Sequence, residues 1–419
     1  MEEPKKLSVS KNALYNTVGS IFYCFCQWII SALIVVHLSP SEISASSRSM
    51  LQIAISITNI FYSISNYNMR TYQISDTNDE YSSGDYIGMR FVTATVSVVL
   101  CAIYVIVLGY SAKNIACVIA YMFYKLSETF GDVLHGIDQK KHRMDYVGIS
   151  FVIRGIVSVA IFTVALVIFG DVFIAIVAMA IATLAVVVIY DVPRTSRLDT
   201  IKPVFHKRTI TTLLIVCLPT VISTACFTAI TSVPRQILEA MHKDALGYYG
   251  TIATPLVVVQ VMATSIFNPT LTQLAEFYND GNYKELIKQM LKDFVIVCVI
   301  AAVACLCVAF FGEFAIGLVF GRDYVSYTRL MYGIVACTSL YVVSWLTKSV
   351  LIIMRKLKIC MVASLITLPI SILLSKPFIE LFYMDGVSYS IIVAYVIHIA
   401  ICLVAIFKTL KSKENKNGV

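Results

Sequence analysis

The sequence predicts an all-α integral membrane fold with about 12 transmembrane helices, six before a central polar stretch and six after it. Three observations lead there: an apolar composition, a train of apolar runs long enough to span a bilayer, and basic residues that alternate between successive connections. The chain has 419 residues, of which 58% are hydrophobic and only 14% charged, with a mean hydropathy of +0.81. Soluble domains lie near 45–50% apolar and about 25% charged, so a soluble globular protein is excluded. An aromatic content of 11%, with 18 Gly and 10 Pro, excludes disordered and collagen-like chains as well.

The apolar runs fall near 12–37, 46–65, 87–109, 113–134, 146–170, 172–190, 211–232, 246–268, 293–312, 328–352, 357–376 and 386–408. Backbone in lipid must satisfy its own hydrogen bonds, so runs of this length are helices. A β-barrel would need alternating strands of ~10 residues, which the sequence lacks. The first run is too long for a signal-peptide core and has no small-x-small cleavage pattern, so it reads as a membrane helix. The stretch from Asp191 to Arg208 divides the chain into an N-terminal bundle over 1–192, a linker over 193–210 and a C-terminal bundle over 211–419. Transporters built from two halves have this layout. Pro219, Pro255 and Pro369 fall inside runs of the second half, where each removes a backbone hydrogen bond and is expected to kink its helix. The segment 282–292, NYKELIKQMLK, spaces Lys284, Lys288 and Lys292 at i, i+4, i+8. It reads either as an amphipathic piece lying on the cytoplasmic leaflet or as an ordinary solvated face.

The 33 basic residues exceed the 25 acidic ones by eight. One set of connections holds 23 of the Lys and Arg, and the alternate set holds only Arg48, Lys113, Arg235, Lys243, Arg322, Arg329 and Lys376. Cytoplasmic loops concentrate Lys and Arg, so this sorting predicts a multi-pass cell-membrane protein with both termini cytoplasmic. It also accounts for the basic excess without a nucleic-acid partner. The 12 cysteines sit in apolar runs with no CxxC pair and read as small buried hydrophobes. The chain has no GxxxxGKS/T, HExxH or GxSxG, so no ATPase loop, zinc site or cofactor is expected. Of the six scattered histidines, His398 alone lies deep in a run and reads as packed, not metal-binding. The outward connection near 233–245 is too short for an extracytoplasmic catalytic domain, which argues against a sugar polymerase or transferase.

Charges inside spans cost at least ~2.5–3.5 kcal/mol each and ask for a partner or a water-filled path. Lys125, Glu128 and Asp132 recur at i, i+3, i+7 on one face of the fourth span, and Lys125 with Glu128 is also readable as a self-neutralising pair. Arg154 lies about 12 Å into the fifth span, too deep to snorkel, which points to a substrate or internal ion-pair role. A short connection lets it meet the face of the fourth span. Arg48 and Lys348, nearer span ends, suit either anchoring or a substrate path. The summed intramembrane charge leans positive, four cations against one clear carboxylate, Glu128. A cavity lined this way suits an anionic solute. Glu128 and Asp132 are the candidate ion-coupling carboxylates.

Three stretches together resemble a known family. They are MRTYQISDTNDEYSSGDYIGMR with Arg70, Asp76 and Asp85, HGIDQKKHRMDYVGISFVIRG with Gly136, Gln139, Arg143, Asp145 and Arg154, and VPRQILEAMHKDALGYYGTIATP with Arg235, Glu239 and Gly247. The combination is similar to the Wzx-type polysaccharide and O-antigen flippases of the multidrug/oligosaccharidyl-lipid/polysaccharide exporter superfamily. That resemblance implies two six-helix bundles around a central cavity. It also implies transport of a polyprenyl-pyrophosphate-linked oligosaccharide from the cytoplasmic to the outer leaflet for surface polysaccharide, including lipopolysaccharide, assembly. The implied partners are that lipid-linked oligosaccharide, membrane lipids and other polysaccharide-assembly proteins. Arg154, Lys125, Arg48, Lys348 and Arg235 are then the substrate-path cations, and Arg70, Asp76, Arg143 and Asp145 the family-motif residues. The turn HLSPSEISASS after the first span lacks the glycine common in the family. A small-molecule or drug exporter of the same superfamily, or of major facilitator type, is the alternative. The facilitator pattern GxxxDRxGRR is missing after the second span.

Overall fold

The computed structural model describes residues 9–34, 44–67, 69–75 and 80–417, and every regular element among them is helical. The first half comprises α1 (Val9–Trp28, continuing as a π-helical turn over Ile29–Ile34), α2 (Ser44–Asn66), α3 (Met69–Ser75), α4 (Ser83–Val107), α5 (Ala112–Lys140), α6 (Met144–Phe169) and α7 (Val172–Val186). A second π-helical turn, Val187–Asp191, leads into the short α8 (Val192–Thr195). There follow α9 (Lys207–Met241), α10 (Ala245–Asn279), α11 (Tyr283–Phe320), a 3-10 turn (Arg322–Tyr327), α12 (Leu330–Ile353), α13 (Leu357–Phe382) and α14 (Met384–Asn417). Among the described residues, 8 helices are long and apolar enough to cross a membrane. Their outer faces carry large exposed apolar side chains such as Phe310, Leu318 and Leu373, as expected where the solvent is lipid. The chain is an integral membrane protein.

Helix ends follow local chemistry. Ser82 and Asp85 form a reciprocal capping box at the start of α4, Ser111 caps α5, and Asp171 accepts from the Phe173 amide at the start of α7. These side chains satisfy amides that have no partner in a helix's first turn. Gly170 ends α6 in the left-handed conformation, φ 64°, which a residue without Cβ adopts at no steric cost. The expected connection at 233–245 is mostly helical, since α9 runs to Met241 and α10 begins at Ala245. The segment 282–292 is not a separate piece lying on the membrane. It forms the first turns of the continuous 38-residue α11, with Leu286 buried and Lys284, Lys288 and Lys292 exposed. Helices α9, α10 and α13 continue through Pro219, Pro255 and Pro369.

Two compact units emerge, Met1–Thr228 and Ala229–Val419. In the first, α1 lies directly on α6: a Cβ on Gly148 would overlap the Tyr15 carbonyl, and one on Gly19 the Gly148 backbone. Its core gathers Tyr67, Met69, Tyr86, Ile137, Leu213 and Val221. In the second, Leu274, Leu286, Leu351, Ala363 and Cys402 share a core, and the turn between α13 and α14 brings Gly386 against the Phe378 carbonyl.

Candidate functional site

Polar residues recur on α5 at 125, 128, 132, 135 and 139, a helical spacing that lines them along adjoining faces. They organise the buried charge of the first unit. Lys125 donates to Glu128 Oε2 at 2.8 Å. Glu128 Oε1 accepts from the hydroxyls of Tyr23 at 2.5 Å and Tyr124 at 3.1 Å. The Lys125 ammonium also lies 5.1, 5.4 and 5.9 Å from the ring centres of Tyr62, Tyr124 and Tyr121. A cation within about 6 Å of an aromatic face is attracted by the ring quadrupole. The result is one ion pair ringed by four tyrosines, with the Lys125 and Glu128 side chains still 13% and 11% exposed.

One turn on, Asp132 holds two arginines. Arg90 donates to it at 2.9 Å and Arg70 lies 3.5 Å away. The same Arg90 donates to the Ser65 and Asn66 carbonyls at 2.9 and 2.6 Å, placing a cation on the negative C-terminus of α2. On the neighbouring face, Arg154 donates to Asp191 Oδ2 at 2.6 Å, and His135 Nε2 stands 3.7 Å from the other carboxylate oxygen. Both side chains of this pair are 2% exposed. The guanidinium fits because residue 131 is glycine: a Cβ there would overlap it. Arg154 therefore does reach the fourth span, but its carboxylate comes from the end of the sixth.

This geometry gives two of the four expected intramembrane cations a carboxylate partner. Asp191, which sequence assigned to the central stretch, is helical and 3% exposed, carried inward by the π-helical turn that ends on it. An extra residue per turn re-aims the side chains that follow. Lys125 and Arg154 each have a carboxylate partner, and Asp132 serves Arg90 and Arg70.

The family described as "Polysaccharide biosynthesis protein" matches residues 10–275. The chain belongs to that family. It is the Wzx-type family that the three sequence motifs resemble. The capsular polysaccharide biosynthesis protein CapF of Staphylococcus aureus is 27% identical over 317 residues, covering 75% of this chain and 78% of CapF. Among solved structures, an inward-facing multidrug resistance MATE family transporter of the MOP superfamily matches with TM-score 0.66 at 13% identity, covering 98% of this chain and 97% of that one. The Vibrio cholerae MATE transporter VcmN in its bent form gives 0.60 at 12% identity, covering 96% and 97%. A MOP superfamily transporter from Pyrococcus furiosus gives 0.57 at 13%, covering 98% and 100%. At such identities the likeness is one of fold.

The structure explains why the first two motifs of this polysaccharide-biosynthesis family member occur together. Arg70 donates to Gln139 Oε1 at 3.2 and 2.7 Å through Nε and a terminal nitrogen. The Gln73 amide lies so near Gly136 that a Cβ there would overlap it. Arg143 and Asp145 form a two-point pair at 2.9 and 2.8 Å, and this hydrogen bonding holds the guanidinium above its ordinary value. Asp76 lies outside the described residues, as does most of the turn after the first span. In the third motif, Glu239 accepts from the Asp244 and Leu246 amides at 3.1 and 3.2 Å, fixing the turn into α10.

Other predicted cations lie elsewhere. Arg48 is buried on α2 and Lys348 on α12. His398 is packed as expected, its Nδ1 2.6 Å from Ser344 Oγ and its Nε2 3.4 Å from Ser364 Oγ. In the second unit Arg235, Thr231, Tyr249, Cys337 and Tyr341 line a cavity of about 30 Å³, room for one water. The Arg235 Nε is buried there without a hydrogen-bond partner. Sequence reasoning missed Tyr23 and Asp191 and held Arg90 only as the last residue of the first motif. Asp191 left no signal, because an Asp two residues before Pro193 reads as a turn residue.

Proposed function

We propose that this chain is an alternating-access transporter of the MOP superfamily whose cargo is a polyprenyl-pyrophosphate-linked oligosaccharide, moved from the cytoplasmic to the outer leaflet for surface polysaccharide assembly. The observation that carries the reading is the family match over residues 10–275, supported by the relative CapF. Twelve spans in two six-helix bundles around a central cavity, 1–192 and 211–419 joined by 193–210, belong to this proposal. So do cytoplasmic termini and association with other polysaccharide-assembly proteins. Since carboxylates already hold Lys125 and Arg154, the phosphate-receiving role falls first to Arg235, whose Nε is buried without a hydrogen-bond partner; Arg48 and Lys348 stay in the proposal as further substrate-path cations. A guanidinium suits phosphate because its planar fork binds two oxygens. Glu128 is the proposed coupling carboxylate. Asp132 is less suited, because protonating it would strip two arginines of their counter-charge.

A second reading is export of a small organic cation. The multidrug transporters share the fold over nearly the whole chain, and the place that Lys125 takes beside Glu128 and the Tyr62, Tyr121 and Tyr124 rings is one that such a cation enters by displacing the ammonium. Deletion of the gene decides between them. Under the flippase reading, surface polysaccharide is lost, lipid-linked repeat units accumulate on the cytoplasmic side, and drug susceptibility stays unchanged. Raised susceptibility with intact polysaccharide would establish the second reading instead.

A further inference from the structure

A cavity of about 840 Å³ opens in the second unit where the ends of α10, α12 and α14 meet the start of α13. Its rim carries Arg355, Lys356, Lys408 and Lys413, all exposed. Among the described residues no acidic side chain lines it, and none of the four cations is held in an ion pair. The Lys413 ammonium lies 4.6 Å from the ring centre of Tyr278, which draws that charge over the cavity wall. The lower wall is of opposite character. Ile353, Ile401, Val404 and Ala405 line it, and Val404 and the neighbouring Ile352 are open to the surroundings. Along α14 the step from Ile401 to Lys408 is two turns, about 10 Å. The cavity therefore has a cationic rim at the helix ends, which the Lys/Arg sorting predicts to be cytoplasmic, and an exposed apolar flank about two helical turns away.

We infer that this cavity binds the phosphate headgroup of an anionic glycerophospholipid, with one acyl chain along the Ile401–Val404 flank. Four unpaired cations supply the headgroup charge, as basic pockets between membrane helices do elsewhere. The apolar flank favours a lipid over a free phosphate, which would leave that wall unused. The site is separate from the charged axis of the first unit and does not depend on what the protein transports.

Native mass spectrometry of the full chain purified in detergent tests this, with phosphatidylglycerol or phosphatidylcholine added at equal concentration. The intact protein should retain phosphatidylglycerol preferentially. The double substitution Lys408→Gln/Lys413→Gln should lower that retention at least tenfold, taking each basic residue near the surface as worth about a factor of five to ten. Lys284→Gln/Lys288→Gln on the exposed face of α11 removes the same charge outside the cavity and should leave retention unchanged. Arg355 has a left-handed backbone, φ 57°, which Asn tolerates better. Arg355→Asn should therefore weaken lipid retention without lowering the unfolding temperature, so a folding defect cannot stand in for lost binding. Equal losses in the two double variants would reduce the effect to general surface charge and overturn the site. Displacement of the lipid by glycerol phosphate at matching concentration would make it a free-phosphate site, and stronger displacement by a short polyprenyl pyrophosphate would make it part of the cargo path. Either result overturns the assignment.

Discussion

Arg154 and Asp191 are each 2% exposed at the side chain and joined at 2.6 Å, so neither has water to replace its partner. Removing one member of a buried pair leaves an uncompensated charge and costs about 3–5 kcal/mol, whereas replacing both by apolar groups of similar volume is often neutral. Asp191→Asn should accordingly lower the unfolding temperature of the purified protein sharply, and Arg154→Met/Asp191→Leu should restore most of the loss. If the double variant unfolds as early as the single one, the pair is not what holds α6 to the end of α7. Arg154 was conspicuous in the sequence because a lone guanidinium deep in an apolar run must be explained. Its partner was not, because Asp191 sits at the boundary of a run, and only the π-helical turn makes that boundary an interior position. A one-residue change of helical phase leaves no mark in hydropathy. Lys125 and Glu128 were legible as a pair because their i, i+3 spacing needs only a regular helix. The tyrosine ring was less so, since Tyr23 and Tyr62 come from other helices.

At the level of elements, apolar runs locate helices well and their ends poorly. Hydropathy records where a helix meets lipid, not where its hydrogen bonds stop. Helices α10 and α11, of 35 and 38 residues, would measure about 52 and 57 Å, well beyond a ~30 Å hydrocarbon core. Their polar ends were thus read as connections. The contact between α1 and α6 was equally silent, although Gly148 and Gly155 stand seven residues apart on one face. What differs between them is the neighbour. A Cβ on Gly148 would strike the Tyr15 backbone, while one on Gly155 would meet the Cys26 thiol and the Phe22 ring. Side chains can turn aside and backbone cannot. Gly148→Ala should therefore destabilise the protein by about 1–3 kcal/mol, as overpacking does, and Gly155→Ala by clearly less. Thermal unfolding of the two variants side by side checks this, and equal shifts would count against so close an approach of the two helices.

For the whole molecule, the charged axis of the first unit is either scaffold or machinery, and its neutral removal separates the two. Glu128→Gln alone would strand Lys125 among tyrosines and confuse a functional loss with a folding one. The paired change Lys125→Gln/Glu128→Gln removes both charges together and keeps polar groups of similar length beside Tyr23 and Tyr124. Because the pair lies within hydrogen-bonding distance and stays only slightly exposed, its neutral replacement should leave the unfolding temperature near that of the parent protein. A transporter that couples cargo to an ion needs a site whose charge changes between its two states. The paired variant has no such site at this position. It should reach the membrane in normal amount and fail to restore surface polysaccharide to a deletion strain. The contrast with Asp132 is informative, since Asp132→Asn frees Arg90 and Arg70 at once and should lower the unfolding temperature as well as transport. Full restoration by the paired variant would mean that Lys125 and Glu128 serve only to neutralise each other, and coupling would have to be sought in the second unit.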